Sequence, residues 1–252
     1  MSHGSKFAAL FALALLPWSC GAVAAEITIM ANQGAVSAVR DLAPAFEKLS
    51  GHKVVVVFEP AAVMNRRIEA GEPADLVSSF FEAFEDLVQR GKIVAGGFAP
   101  YARAGNGVAV ISGARWPDIR TPEAFKRSML EAKSIGHSAN GTGPYNTKLF
   151  QRLGIYEEIK GKIRIIEGRT VAAAVAAGDV EIGIQQVNVI QPVAGTDYVG
   201  PLPAELTEYG RFGVGLLSVS RQPEAARAFM AFMTSPAAAP LIRKSGMEPP
   251  AP

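Results

Sequence analysis

The chain is poor in sulfur, histidine and net charge. Cys20 is its one cysteine, which excludes an internal disulfide and a cysteine-built zinc site. The three histidines show no His-Glu-x-x-His spacing, so a zincin-type metal centre is excluded as well. There is no Gly-x-Ser-x-Gly elbow. The glycine-containing stretch from Gly136 to Gly143 has no Gly-Lys-Ser/Thr ending, so it is not a phosphate loop of the Walker kind. His137 and Ser138 are adjacent, and neighbours on a strand face opposite sides, which argues against a base–nucleophile pair. Lys+Arg 25 against Asp+Glu 23 leaves a net charge of +2, too weak a field to bind a nucleic-acid backbone. Hydrophobic residues at 49% against 19% charged exclude disorder as the main state.

No apolar run approaches the roughly 18 residues of a membrane span. The run that does exist, Phe7 to Leu16, follows a single basic residue, Lys6, and is broken by Pro17. Small residues then lead to Val23-Ala24-Ala25. This is the pattern of a secretory signal with cleavage near Ala25. The mature chain, beginning near Glu26, then lacks cysteine altogether, which suits an oxidising compartment such as the periplasm.

From Glu26 onward, strand and helix signals alternate. Strands are expected at Glu26–Met30, Lys53–Phe58, Asp75–Ser78, Gly107–Ser112, Lys133–Gly136, Ile163–Ile166, Glu181–Gln185 and Phe212–Val219. Four successive valines in the second suggest a strand buried on both faces of a parallel sheet. Between Ala35 and Leu49, the residues Val36, Val39, Leu42, Ala43, Phe46 and Leu49 recur at helical spacing. Gly51 should stop that helix, and Pro44 should kink it. Thr121-Pro122-Glu123 reads as cap, first-turn proline and first-turn acid of another helix. The strand–helix unit recurs in two blocks, and two terminal helices, Pro223–Met233 and Pro236–Lys244, must pack back on the first. The expected fold is therefore α/β. Two Rossmann-like lobes, 26–107 with 212–252 and 108–211, are joined by crossing strands near Val108–Ser112 and Phe212–Leu217. Such a pair of lobes encloses a hinged cleft.

Four helices should begin directly after sheet strands, at Gly34-Ala35, Ala61-Ala62, Gly143-Pro144-Tyr145 and Thr170. Open α/β sheets bind ligands at the carboxyl ends of their strands. Helix starts there offer unpaired N–H groups and partial positive charge, which suits an anion without a Lys or Arg in the pocket; no metal or cofactor is expected.

Ile27-Thr28-Ile29, Ala43-Pro44-Ala45-Phe46-Glu47 and Ile68-Glu69-Ala70-Gly71-Glu72-Pro73-Ala74-Asp75 carry a family resemblance. It continues through Gly141-Thr142-Gly143-Pro144-Tyr145 and Glu181-Ile182-Gly183-Ile184. The chain resembles the periplasmic molybdate-binding proteins of ABC importers, within the type II periplasmic-binding-protein superfamily. That resemblance implies an exported monomer. It would close its lobes on a small anion and deliver it to a permease in the inner membrane, without enzymatic activity. It places ligand contacts at Asn32, Gln33 and Gly34; at Ala61 and Ala62; at Asn140, Gly141, Thr142 and Gly143; and at Gln185, Gln186 and Asn188. Tyr145 and Arg169 are further candidates from their places beside these loops. The family's first-loop hydroxyl falls at Gly34, its serine-rich second loop at Pro60-Ala61-Ala62, and its closing tyrosine at Gln186. Loss of those hydroxyls and gain of amides point away from molybdate and toward a small organic acid. A ligand sensor, or a secreted hydrolase using Asp75 or Glu82, would share the same lobes.

Overall fold

The computed structural model describes residues 24–139 and 141–250. The signal-like segment and Asn140 lie outside them. Two five-stranded sheets are present. The first takes β1 (Glu26–Ala31), β2 (Lys53–Phe58), β3 (Leu76–Phe80), β4 (Ile93–Ala104) and β10 (Gly210–Leu217) in the order β2-β1-β3-β10-β4. The second takes β5 (Asn106–Ile111), β6 (Ile135–Ser138), β7 (Ile163–Ile166), β8 (Ile182–Gln186) and β9 (Thr196–Pro201) in the order β7-β6-β8-β5-β9. Strands joined through helices pair in parallel, β1 with β2 and β3, and β6 with β7 and β8. β10 runs antiparallel between β3 and β4, and β5 runs antiparallel between β8 and β9. Both sheets are thus mixed, where the repeated strand–helix unit alone predicts parallel ones.

The chain leaves the first lobe at Gly105, between β4 and β5. It returns between Pro201 and Gly210, entering β10. These two passages lie side by side, since a β-carbon at Gly105 would stand 2.8 Å from the Thr207 methyl. The C-terminal segment straps them. Arg103 and Glu248 exchange backbone hydrogen bonds, the Arg103 guanidinium donates twice to the Glu248 carboxylate, and Tyr209 donates its hydroxyl to the same carboxylate.

Helix α1 (Val36–Ser50) buries Ala38, Val39, Leu42, Ala43 and Phe46, as its spacing requires, and ends at Gly51 in the left-handed region, φ 75°. Pro44 does not interrupt it. The proline sits on the exposed face, where solvent can reach the Arg40 carbonyl that its missing N–H leaves free; Leu49, which the spacing places inward, is exposed there too. α2 (Ala61–Glu69), α3 (Phe84–Gln89) and α4 (Pro122–Glu131) follow, the last capped by the Thr121 hydroxyl accepting from Ala124 N–H at 3.1 Å. α5 (Thr142–Arg152), α6 (Tyr156–Ile159), α7 (Val171–Ala176) and α8 (Val187–Ile190) belong to the second lobe. α9 (Pro223–Met233) and α10 (Ala239–Lys244) return to the first. Phe229, Met233 and Ile242 join Val39, Leu42 and Phe46 in one buried cluster.

The valine-rich β2 corrects one expectation. It is an edge strand, and Val55 and Phe58 are exposed. Val54 and Val56 pack inward on one face and Val57 on the other, so the run serves two half-covered faces instead of a buried centre.

Candidate ligand-binding cleft

The carboxyl ends of β1 and β8 meet across the space between the lobes. On the first lobe, Asn32 is almost fully buried. Its Nδ2 donates to Ser79 Oγ at 2.9 Å, and its Oδ1 and carbonyl accept from Ala35 N–H. Asn32 therefore shapes the loop ahead of α1 instead of presenting its amide to a ligand. The same carbonyl takes Val36 N–H. Among the described residues the next two donors, on Ser37 and Ala38, have no acceptor, as expected of a helix start. Gln33 is exposed and faces the interlobe space. Gly34 is buried against Phe212, with the second lobe's Gln186 close by. A β-carbon at Gly34 would stand 2.7 Å from the Phe212 ring and 3.1 Å from Gln186 Oε1.

On the second lobe, Gln185 and Gln186 alternate in direction along β8. Gln185 turns to α7, and its Oε1 accepts from Val171 N–H at 2.9 Å. Thr170 Oγ1 caps Ala173 N–H of the same helix. Among the described residues the α7 start thus finds acceptors within the protein for the N–H groups of Val171, Ala173 and Ala174 but not for that of Ala172, and the Gln185 side chain serves as a cap. Gln186 reaches the first lobe, its Nε2 3.0 Å from where a β-carbon of Gly210 would lie. Its amide is nine-tenths buried and has no hydrogen-bond partner among the described residues. Asn188 closes the seam: its Nδ2 donates to the Gly34 carbonyl at 2.7 Å and to Ser37 Oγ at 3.2 Å, leaving Oδ1 buried without a partner.

The remaining candidates are divided. Ala61 and Ala62 open α2 with exposed backbone, and no acceptor among the described residues takes their N–H groups. Gly141 (φ 63°) and Gly143 form the turn into α5. A β-carbon at Gly143 would lie 1.7 Å from the Ser138 carbonyl, so only glycine fits. Thr142 Oγ1 lies 3.2 Å from Ser138 Oγ. Tyr145 packs at the edge of the second core and donates its hydroxyl to the Leu206 carbonyl; burial pushes its phenol pKa up. Arg169 is paired with Asp179 on the surface. The acids considered as bases are likewise engaged. Asp75 accepts from Thr28 N–H, Ser220 Oγ, Arg221 N–H and Gln222 N–H, while Glu82 pairs with Arg211 on the surface.

A groove of about 480 Å³ runs between the lobes beside this seam. Gln33, Ser37, Arg40, Asp41 and Phe58 line it from the first lobe, Thr170, Asn188, Val189, Gln191, Pro192 and Val193 from the second, and Lys244 from α10. Ser37 and Arg40 are the residues that sequence reasoning missed. Their signal was present, since polar residues three apart on the first turns of α1 share a face. Phe212, which fixes the shape beneath Gly34, carried no such signal.

The bacterial extracellular solute-binding protein family model matches residues 27–248. The chain is 31% identical over 244 residues to an aconitate isomerase of a Pseudomonas species, covering 94% of this chain and 93% of that protein. It is 27% identical over 240 residues to the molybdate-binding protein ModA of Azotobacter vinelandii, covering 90% and 92%. The solved structure of an Azotobacter vinelandii periplasmic molybdate-binding protein superposes with a TM-score of 0.71 at 20% identity, covering 89% of this chain and all of that one. With two sheets joined by two passages of the chain and a match along nearly the whole described length, this chain belongs to the bacterial extracellular solute-binding proteins.

Proposed function

We propose that this protein is an exported solute receptor that captures a small organic carboxylate between its lobes and passes it to an ABC-type permease. The observation that carries the reading is the shape of the seam. The position of the family's first hydroxyl is Gly34, pressed against Phe212, and the position of its closing tyrosine is Gln186 with an unpaired amide. That amide both donates and accepts, whereas a fully ionised oxometalate only accepts. The groove of about 480 Å³ is also of the size that holds organic ligands, about 300–1,000 Å³. The relative named for aconitate, a tricarboxylate, supports the same ligand class.

Donors remain in sufficient number. Micromolar capture requires about 8 kcal/mol, and each hydrogen bond to a charged acceptor contributes roughly 1.5–3 kcal/mol. Three open N–H groups, on Ser37 of α1 and on Ala61 and Ala62 of α2, together with the Gln186 amide and the α5 turn, can supply that once the lobes close.

Titration calorimetry with molybdate, cis- and trans-aconitate, citrate and acetate tests the proposal. Binding of a carboxylate without molybdate is expected; submicromolar molybdate binding with no carboxylate bound would overturn it. Mass spectrometry of the exported protein should find a mature chain beginning near Glu26.

The name of the 31%-identical relative favours a second reading, an isomerase on the same cleft. Proton transfer needs a free base at the ligand, and Asp75 and Glu82 are both engaged elsewhere. Proton NMR of cis-aconitate incubated with the protein separates the two readings, because a receptor leaves the cis/trans ratio unchanged and an isomerase moves it.

A further inference from the structure

We propose that the interlobe groove holds a second carboxylate subsite at Arg40, so that the protein selects polycarboxylates over monocarboxylates. This rests on the carboxylate reading above and extends the site sideways from the seam, along α1.

Three ionisable side chains line the groove: Arg40, Asp41 and Lys244. Asp41 and Lys244 pair with each other at 3.1 Å. That pair cancels, which leaves Arg40 as the uncompensated charge. Among the described residues Arg40 has no carboxylate partner, a state it shares with Arg66, Arg115, Arg127, Arg164, Arg221, Arg227 and Arg243; what sets it apart from them is its place on the groove lining. The guanidinium is planar and offers a fork of donors matched to a carboxylate.

Its placement suits a ligand already held at the α1 start. Ser37 and Arg40 are one helical turn apart on the same face, a rise of about 4.5 Å. Ser37 Oγ accepts from Asn188, so its own proton is free to be donated. A first carboxylate at the Ser37 N–H and hydroxyl leaves a second, two or three carbons along the ligand, within reach of Arg40. A tetrahedral oxyanion or a short monocarboxylate cannot span both positions. Opposite, Thr170, Asn188, Val189, Gln191, Pro192 and Val193 close the groove from the second lobe, so a ligand reaching Arg40 touches both lobes.

Calorimetry on the full-length mature protein with tricarballylate, succinate and acetate, for the wild type, Arg40→Gln and Arg40→Lys, tests the subsite. Arg40 is exposed, so both variants should fold, and their melting curves check it. Arg40→Gln should weaken tricarballylate and succinate at least tenfold and leave acetate unchanged, with Arg40→Lys recovering part of the loss. Polycarboxylate binding that is indifferent to Arg40→Gln, or that falls in step with acetate, overturns the subsite and leaves the carboxylate reading standing. A wild type that binds none of the three overturns the carboxylate reading itself, and the subsite with it.

Discussion

Restoring the family's first-loop hydroxyl by Gly34→Ser should fail to create a molybdate site and should destabilise the protein. The added β-carbon would lie 2.7 and 2.8 Å from Phe212 Cε1 and Cζ. Non-bonded carbons are comfortable at about 3.5–4.0 Å, so the overlap is about 0.8 Å. Phe212 cannot easily yield. It is fully buried, its ring stacks on Phe80 with centroids 4.8 Å apart, and its strand lies between β3 and β4 with backbone pairing on both sides. Overpacking of this kind costs about 1–3 kcal/mol. In a domain of this size each kcal/mol moves the midpoint by roughly 2–4 °C, so a fall of about 2–12 °C is expected. Thermal unfolding measures it, and calorimetry with molybdate should stay flat. A double variant with Phe212→Val checks the cause, since removing the ring should make Gly34→Ser cheaper than it is alone. A Gly34→Ser protein melting with the wild type, or binding molybdate, would refute the steric argument.

Two further outcomes follow from the same structure. Asp75→Ala removes the acceptor for Thr28, Arg221 and Gln222 N–H groups and for Ser220 Oγ; leaving those donors unpaired should cost about 3 kcal/mol or more, read by urea unfolding. At alkaline pH, burial pushes the Tyr198 phenol up to about 12 from an ordinary value of 10.0. The folded state keeps its proton longer than the unfolded chain does, so this contribution is intact below about pH 10 and is lost as pH rises toward 12. Tyr198→Phe should flatten that part of the stability–pH curve, and a curve unchanged by the substitution would refute the assignment.

Most strands and helices were legible because periodicity and caps are local. Thr121-Pro122 marks α4 and Gly51 ends α1 without any knowledge of the partner elements. The strands that escaped, β4 and β9, are both edges. β4 carries Gly96, Gly97 and Pro100, which break alternation; a proline, lacking its N–H, is tolerated where a strand has no neighbour on one side. β9 ends in Gly200-Pro201 for the same reason. The antiparallel placement of β5 and β10 was hidden because it follows from the passages between lobes, a long-range property that no local pattern encodes.

The site divides along the same line. Glycines that a turn demands, such as Gly143 against the Ser138 carbonyl, are readable as motif. Amides are not, because an asparagine or glutamine side chain serves whichever group lies within reach. Of the five singled out among the described residues, Asn32 and Gln185 complete loops and caps inside their own lobes, Gln33 is exposed at the interlobe groove, and Gln186 and Asn188 cross to the other lobe. The distinction matters for the ligand. An amide committed within one lobe keeps its partners when the lobes part, so it cannot report on closure. One that bridges the lobes must exchange protein partners for ligand or water as the cleft opens. Asn188 grips the Gly34 carbonyl directly beside the open α1 donors, so its bond competes with any anion that must enter there. Ligand affinity is therefore the difference between the new contacts and this existing seam, and weakening the seam alone shifts it.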